Sequence, residues 1–311
     1  MSSVTEPARL RLAQLPTPLE PYDLPGNTPT LWVKRDDLTG TGLTGNKVRK
    51  LEYLLADALS RGATRVVTCG GIQSNHCRAT AIAAAQLSLS CHLFLRCDAP
   101  PPDEAPTTGN LALDRLVGAK ITFITHEQYR DRAQLMTAAA GPKGYVIPEG
   151  GSNALGTWGY LRCVDELRTQ WRLPPSAIVC ATGSGGTHAG LAIGVRRREL
   201  DIPVYGVAIC DDAPTFQARI AQISAEACDR WPQLPQIKET EIRVVEGYKG
   251  GGYAVSHPDE LADIASVARS TGLLLDPVYT GKALRALMHE PGLFGDRPLF
   301  VHTGGIFGLL A

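Results

Sequence analysis

Hydrophobic positions along the chain fall into short apolar runs separated by longer stretches of helical periodicity. Residues 65–69, 91–96 and 119–124 are rich in apolar and β-branched side chains and predict strands. Helices are expected between these strands, over 79–87 and 111–117. Strands that alternate with helices are typical of parallel sheets covered on both faces.

The same rhythm returns later, with strands predicted over 177–180 and 204–209 and a helix over about 189–197. Two α/β series without an obvious linker indicate an α/β protein with two lobes that share a cleft. Proline-rich stretches at 98–110 and 231–240 are expected to be exposed loops. Ligands of open α/β sheets bind beyond the carboxyl ends of strands, so the cleft is the expected site.

Composition narrows the class of partner. The chain has 311 residues, more than one hydrophobic core usually holds, and its 31 basic and 31 acidic residues cancel. Zero formal charge gives no general attraction to nucleic acid or anionic membrane, and no apolar run is long enough to span a bilayer. A small-molecule partner is therefore expected.

The cysteines and the N-terminus bear on metal binding and location. Eight cysteines are scattered without a CxxC pair, which argues against a zinc ribbon or a disulfide scaffold, and no metal site is predicted. The first ten residues lack the apolar core of a secretory signal. We therefore expect a cytoplasmic protein with reduced thiols.

Lys47 is the first candidate for chemistry. Most lysines are solvated surface charges, but Lys47 follows a Gly45-Asn46 turn and precedes a predicted helix with an apolar leucine stripe. This setting places it at an element boundary near the cleft. A lysine that is partly desolvated there can lose its proton and act as an imine-forming amine.

Two glycine-rich turns each follow a predicted strand and precede a helix. The turn at 70–76 presents main-chain amides and the side chains of Ser74 and Asn75, which suits a carboxylate, although either residue could simply cap the helix. The turn at 180–187 would let the main chain approach a phosphate, with Ser184 and Thr187 adding hydroxyls. A glycine turn alone is a weak signal.

Two later segments also end in polar residues. In 275–282, Tyr279 and Thr280 are expected to place two hydroxyls at a strand end, and 300–305 is predicted as a strand that runs into glycines. Each segment is also compatible with ordinary turn chemistry.

Taken together and in order, these segments resemble the D-cysteine desulfhydrase and 1-aminocyclopropane-1-carboxylate deaminase family. The motifs that carry the resemblance are Gly45-Asn46-Lys47-x-Arg49-Lys50-Leu51-Glu52, Gln73-Ser74-Asn75-His76, Gly150-Gly151-Ser152-Asn153 and Asp276-Pro277-Val278-Tyr279. Asn75–Thr80, Gly156–Tyr160 and Gly252–Ala254 look most like the plant-type desulfhydrase branch.

The family implies the tryptophan-synthase-β-like fold of fold type II pyridoxal-phosphate enzymes. That fold has two domains, each a mostly parallel sheet flanked by helices. The expected division is a large cofactor-binding domain made of residues 1–49 and 160–311, and a small domain made of residues 50–159. Relatives also suggest a homodimer.

The resemblance implies roles for individual residues, with pyridoxal 5'-phosphate as cofactor and a small amino acid as substrate. Lys47 would hold the cofactor through an imine and move the Cα proton. The catalytic group would be Lys47, Ser74, Tyr253 and Tyr279. The cofactor would contact Lys47, Asn75, Ser184, Gly185, Gly186, Thr187 and Thr280. The substrate would contact Ser74, Asn75, His76, Tyr253 and Tyr279.

Thr280 bears on the choice of reaction. Deaminases of the family typically have a glutamate there, whose charge can keep the pyridine nitrogen protonated, and a threonine facing that nitrogen cannot do so. The resemblance therefore favours α,β-elimination of D-cysteine to pyruvate, ammonia and hydrogen sulfide. The preference for the D enantiomer rests on the resemblance alone.

Four alternatives stay open on sequence grounds. Three use the same scaffold: 1-aminocyclopropane-1-carboxylate deaminase, a β-replacement synthase and a sulfonate-eliminating lyase. The fourth is a protein that binds the cofactor without turnover, since fold alone does not establish function.

Overall fold

The fold consists of two mostly parallel sheets flanked by helices. The computed structural model describes residues 4–26, 29–99 and 107–311. In that part of the chain the strands are β1 (Leu19–Tyr22), β2 (Leu31–Lys34), β3 (Arg65–Gly71), β4 (Ser90–Arg96), β5 (Lys120–Ile124), β6 (Gly144–Val146), β7 (Ala177–Thr182), β8 (Val204–Ala208), β9 (Arg243–Val245) and β10 (Pro298–Val301). The α-helices are α1 (Asn46–Ser60), α2 (Asn75–Gln86), α3 (Gly109–Leu116), α4 (Arg132–Ala140), α5 (Trp158–Gln170), α6 (Gly186–Arg197), α7 (Ala213–Arg230), α8 (Pro258–Thr271) and α9 (Thr280–His289).

The larger sheet combines both ends of the chain. Its strand order is β1-β2-β10-β7-β8-β9, and every pair is parallel except the β1–β2 hairpin. Strand β7 is buried along its whole length, as expected for a strand with helices on both faces. The α/β prediction with mostly parallel sheets is confirmed.

The smaller sheet is formed by the middle of the chain. Its order is β5-β4-β3-β6, all parallel. Alanine-rich helix α2 packs closely on β3 and β4, with small side chains facing the sheet. Both sheets direct the carboxyl ends of their strands towards the same cleft, which places the turns that follow β3 and β7 around one cavity.

Most predicted elements agree with the structure, and the differences lie at their ends. Helices α2 and α6 begin several residues earlier than expected, because polar and glycine residues of the preceding turns belong to their first turns. The residues directly before Tyr279 do not form a strand. They form an irregular turn that leads into α9, so the expected strand end there is wrong. Of the expected loop at 98–110, residues 100–106 lie outside the described part of the chain.

No helix among the described residues has the length and apolar character needed to cross a membrane.

Candidate active site

A cavity of about 590 Å³ lies where the two sheets meet, within the usual size range for small-molecule sites. One wall comes from the ends of β3 and β4 and the start of α2. The opposite wall comes from the ends of β7 and β8 and from Thr303, which follows β10. The residues of the predicted catalytic group all line this cavity: Lys47, Ser74, Tyr253 and Tyr279.

Lys47 lies in the first turn of α1, with its amine facing the cavity. The helix begins at Asn46, after Gly45, whose φ of +94° is a conformation that favours glycine. A Cβ on Gly45 would lie 2.8 Å from the Thr303 carbonyl oxygen, so close packing here also requires glycine. Burial lowers the pKa of Lys47 to about 8, although the charge of Asp276 acts in the opposite direction. A substantial fraction of the amine is therefore neutral near physiological pH.

The turn after β7 forms a cradle at the start of α6. Gly185 adopts a left-handed conformation, and the first amides of the helix have no partners within the helix. The Oγ atoms of Ser184 and Ser152 lie 2.8 Å apart, and Ser152 also accepts a hydrogen bond from the Gly186 amide. Thr187 accepts a bond from Asn46 Nδ2 at 2.9 Å, which ties the cradle to the lysine turn. Such an arrangement suits a phosphate.

Lys50 lies beneath this cradle and was not predicted as a site residue. It follows Lys47 by three positions, so both project from the same face of α1. Its buried Nζ donates to Ser152 Oγ and to the Gly150 carbonyl, each at 3.2 Å. Burial, followed by the charge of Lys47, lowers the pKa of Lys50 well below its usual value. Charge on Lys50 is therefore favoured when an anion occupies the cradle.

The start of α2 forms the second anion-binding turn. Ser74 caps the helix by accepting a hydrogen bond from the Cys77 amide at 3.2 Å, as a serine at this position can. It also lines the cavity. Asn75 lines the cavity as well, and its Oδ1 accepts a bond from Asn110 Nδ2. These groups, with the free amides of the first turn, can hold a carboxylate.

His76 lines the same wall but is engaged with the protein. The Thr68 hydroxyl donates to the Ile147 carbonyl, so His76 Nε2 must carry the proton that bridges it to Thr68 at 2.8 Å. Burial lowers the pKa of His76 well below its usual value, which keeps the ring neutral. It can offer only an unprotonated Nδ1, an acceptor, and cannot bind a carboxylate by charge.

Tyr253 and Tyr279 form a hydrogen-bonded pair in the cavity wall. Their hydroxyls lie 2.8 Å apart, and the Lys47 amine lies 5.7 Å from the centre of the Tyr279 ring. Burial raises the pKa of Tyr253 to about 12 and that of Tyr279 well above its usual value, so both carry their protons. The pair can pass one proton between neighbouring oxygens and can donate to a bound molecule.

Lys282 fixes the loop that carries Tyr253. Lys282 is only 1% exposed, and its ammonium donates to the main-chain carbonyls of Lys249, Gly252 and Val255 at 2.7, 2.7 and 3.3 Å. Converging carbonyl oxygens around one cation hold the glycine-rich loop closed against α9. The position of the Tyr253 hydroxyl thus depends on a buried charge outside the cavity.

Thr280 does not take the position expected of it. It is fully buried, is not among the residues that line the cavity, and donates its hydroxyl to Asp276 Oδ1 at 2.6 Å. Asp276 also accepts from the amides of residues 278–280, so Thr280 belongs to the turn that starts α9. The structure therefore gives no geometric support to the idea that Thr280 faces the pyridine nitrogen. Thr303, which follows β10, does line the cavity.

The remaining predicted cofactor residues lie together. The residues that line the cavity are Ser184, Gly185 and Thr187. Gly186 is not among the lining residues, and its amide donates to Ser152 Oγ. Sequence reasoning missed Lys50, Arg96, Glu149, Lys282 and Thr303 as contributors. Spacing from Lys47 could have indicated Lys50, and the position after a strand could have indicated Arg96 and Thr303, but the role of Lys282 depends on a loop conformation that periodicity does not reveal.

The wall residues fit pyridoxal phosphate. A glycine turn with free helix amides, a desolvated amine and the start of a second helix surround one cavity, and these groups suit a phosphate, an imine and a carboxylate. At Gly183 a Cβ would lie 3.3 Å from both Ile209 and Tyr279, so glycine lets these two side chains pack closely beside the cradle. The cradle, Lys47 and Asn75 would hold the cofactor.

Comparisons with known proteins agree with this site. The model of the pyridoxal-phosphate dependent enzyme family matches residues 10–304. The chain is 43% identical to a mitochondrial bifunctional D-cysteine desulfhydrase/1-aminocyclopropane-1-carboxylate deaminase of Arabidopsis thaliana, over 96% of this chain and 78% of that protein. It is 44% identical to a putative 1-aminocyclopropane-1-carboxylate deaminase of Thermotoga maritima, over 90% of each chain.

A solved structure shows the same fold. The crystal structure of an ACC deaminase homologue superimposes with a TM-score of 0.88 at 35% identity, covering 98% of this chain and 94% of that one. With a matched family model over nearly the whole chain and a cavity that suits the cofactor, the protein belongs to the pyridoxal-phosphate dependent enzyme family.

Proposed function

We propose that the protein is a carbon–sulfur lyase that converts D-cysteine and water into pyruvate, ammonia and hydrogen sulfide. The observation that carries the proposal is the arrangement of Lys47, with a pKa near 8, beside the hydrogen-bonded hydroxyls of Tyr253 and Tyr279. A base and a pair of proton carriers on one side of a carboxylate-binding turn suit proton removal from the Cα of an amino acid.

Each wall has its own task in this proposal. The Ser184–Thr187 cradle and Lys50 hold the phosphate, and Asn75 contacts the cofactor ring. Ser74 and the first amides of α2 bind the substrate carboxylate, which orients Cα towards Lys47. When bound, pyridoxal phosphate supplies the aldehyde that links to the amino group and the ring that accepts electrons from Cα.

Lys47 then takes the Cα proton, because its neutral form is accessible near neutral pH. Tyr279 and Tyr253 orient the β-substituent and hold a proton next to it. Their raised pKa values keep both phenols protonated, so they act as hydrogen-bond donors before any proton leaves them.

The surroundings of the carboxylates in the cavity wall favour elimination over ring opening. Among the described residues that line it, the carboxylates are Glu149 and Asp211, and each lies beside an arginine, Arg132 at 3.5 Å and Arg219 at 3.2 Å. Each carboxylate thus already has a cationic neighbour, and a simple elimination depends less than ring opening on a charged pyridine nitrogen. Deamination of 1-aminocyclopropane-1-carboxylate stays the second candidate, since the Arabidopsis relative is named for both activities.

The decisive experiment supplies the cofactor-loaded protein with D-cysteine, L-cysteine or 1-aminocyclopropane-1-carboxylate. It measures the release of pyruvate and sulfide, and of 2-oxobutanoate from the cyclopropane. We expect both products from D-cysteine and little 2-oxobutanoate from the cyclopropane. Release of 2-oxobutanoate alone would replace the proposal with the deaminase. Absence of any product from all three would leave cofactor binding without turnover.

A pair of lysine variants tests the assignment of the base. Lys47→Ala should abolish product release, whereas Lys143→Ala, a change at an exposed lysine away from the cavity, should retain it. Full turnover by Lys47→Ala would refute the role of Lys47.

The broader organisation follows from the same family. We propose a large domain of residues 1–49 and 160–311 and a small domain of residues 50–159, supported by the assignment of the strands to two sheets. We also propose a cytoplasmic homodimer. Eight free thiols suit a reducing compartment, and the dimer rests on the family resemblance. Light scattering on the purified protein tests the dimer through a mass twice that of the chain.

A further inference from the structure

Arg96 lies on the cavity wall and has no part in holding the cofactor, binding the substrate carboxylate or moving the Cα proton. It is the last residue of β4 and pairs in register with Gly71, at the end of β3. Gly71 leaves room for Tyr253, because a Cβ there would lie 3.2 Å from the Tyr253 ring. The guanidinium thus lies at the carboxyl edge of the smaller sheet, beside the tyrosine pair.

The surroundings of the Arg96 charge differ from those of the other arginines in the cavity. Arg132 lies near Glu149 and Arg219 near Asp211, whereas within the described ranges no carboxylate lies within 4 Å of the Arg96 guanidinium. Instead Arg96 stacks on two aromatic rings, 4.7 Å from the centre of Tyr129 and 5.5 Å from the centre of Tyr253. Aromatic faces hold a cation in place without neutralising it, so its charge remains available to a ligand.

Tyrosines connect this guanidinium to the reacting centre. Tyr253 touches Arg96 through its ring and Tyr279 through its hydroxyl, and the Lys47 amine lies over the Tyr279 ring. Two anions of the bound state already have partners: the cofactor phosphate at the α6 cradle and the substrate carboxylate at the start of α2. An amino acid held between these sites would direct its side chain towards the tyrosine pair and Arg96.

We propose that Arg96 forms a subsite for the β-substituent of the substrate and selects amino acids whose β-group is acidic or leaves as an anion. This inference rests on the proposed function and names its substrate class. In the elimination, the Cα proton passes to Lys47 and the Cβ–S bond breaks with both electrons on sulfur. The departing hydrosulfide is an anion next to Arg96, and it leaves as hydrogen sulfide after taking a proton from the Tyr253–Tyr279 pair, which the protonated Lys47 then replaces. Water then completes the conversion to pyruvate and ammonia.

The test compares two ligands of nearly the same shape, of which one carries a negative charge on its side chain. Aspartate and asparagine are nearly isosteric, and neither has a β-substituent that leaves easily, so binding can be measured on the cofactor-loaded enzyme without turnover. Both enantiomers are titrated by the change in cofactor absorbance, and the tighter-binding enantiomer is used. We expect wild type to prefer aspartate by about 10- to 100-fold, the range for a charge-assisted bond.

Two variants assign that preference to Arg96. Arg96→Gln should bind aspartate and asparagine alike, and Arg96→Lys should retain part of the preference. Arg130→Gln, at an exposed arginine outside the cavity, is the matched control and should behave as wild type. Asparagine binding reports whether the fold and cofactor site of each variant are intact.

The outcomes separate this proposal from the lyase assignment. Equal binding of the two ligands by wild type, or an aspartate preference that survives in Arg96→Gln, overturns the subsite. Loss of the preference supports it even if no amino acid is converted to pyruvate, in which case only the lyase assignment fails.

Discussion

The hydroxyls of Tyr253 and Tyr279 meet at 2.8 Å although the two residues come from different elements, a glycine-rich loop and the residue that precedes α9. Neither phenol has a carboxylate partner among the hydrogen bonds of the described residues, so the two oxygens share their protons with each other. The pair behaves as one unit that faces Lys47 on one side and Arg96 on the other.

Removing either hydroxyl should therefore break the unit. Tyr253→Phe and Tyr279→Phe are each expected to lower kcat/KM for D-cysteine by about 10²- to 10⁴-fold, the usual contribution of a positioned proton carrier. Because the two groups act together, the double variant should lose little more than the worse single one. Steady-state assays measure this, with Tyr248→Phe as control, since its hydroxyl contacts exposed Glu290 instead. Fully additive losses would contradict a shared role.

The lowered pKa of Lys47 predicts how apoprotein captures pyridoxal phosphate. Only the neutral amine attacks the aldehyde, and with a pKa of about 8 roughly one tenth of it is neutral at pH 7. The capture rate should rise with pH, reach half its limit near pH 8 and level off above it. Stopped-flow absorbance at fixed cofactor concentration follows the reaction. A midpoint near the usual lysine value of 10.5 would show that burial does not shift this amine.

The ammonium of Lys282 should be replaceable by a diffusible cation. Lys282→Ala removes the charge that gathers three loop carbonyls, so the Tyr253 hydroxyl should drift and kcat should fall about 10- to 100-fold. The cofactor affinity should change little, because the loop does not form the phosphate cradle. Millimolar ammonium or methylammonium should restore part of kcat.

Rescue by these ions distinguishes positioning from general damage. Lys238→Ala, at an exposed lysine, should retain full activity with or without added ions. If Lys282→Ala loses activity and no ammonium ion restores any of it, the loss comes from misfolding or packing rather than from the missing charge.

A buried ion network should contribute strongly to stability. Arg49 donates to both carboxylate oxygens of Asp36, at 2.8 and 2.7 Å, and to Glu166. Arg49→Leu leaves Asp36 buried without the guanidinium that pairs with it and should lower the free energy of unfolding by about 3–5 kcal/mol. The exposed Arg61–Asp57 pair gives the control, since Arg61→Leu should cost less than about 1 kcal/mol. Urea unfolding measures both, and equal small losses would contradict a structural role for the network.

The same network sets a response to acid. Burial raises the pKa of Asp36, but the charge of Arg49 outweighs it and holds the pKa below 3.8. The pKa of Glu166 is likewise below 4.5. A lowered carboxylate pKa contributes stability above the unfolded value that is lost as the pH falls through the folded one. The Tm should therefore decrease as the pH is lowered below about 4.5. In Arg49→Leu the Tm should depend less on pH in this range.

Sequence reasoning predicted the fold well where it depended on local pattern. The strand runs before Gly70 and Gly183 and the helices after them follow from periodicity and turn chemistry, and these two turns also locate the cavity. Lys47 could be selected from its setting because a Gly-Asn turn before a leucine stripe is visible in the chain.

Contacts between distant segments could not be predicted in this way. The hydroxyl of Thr280 could turn to the cavity or to Asp276, and only the folded turn decides between them. The role of Lys282 depends on three carbonyls brought together by positive-φ glycines, among them Gly250 and Gly252. Arg96 becomes notable only when the partners of the other cavity arginines are known.

Strand β10 lies between β2 and β7, and the carbonyl of Thr303 just beyond it accepts the amide of Asn46 at 3.1 Å. Among the described strands, β10 alone joins the β1–β2 hairpin to the rest of its sheet. Because synthesis runs from the N-terminus at about 5–20 residues per second, the β1–β2 hairpin and β7 both emerge from the ribosome before the strand that joins them. The larger sheet therefore reaches its full strand order later in synthesis than the smaller sheet, whose four strands all lie before residue 147.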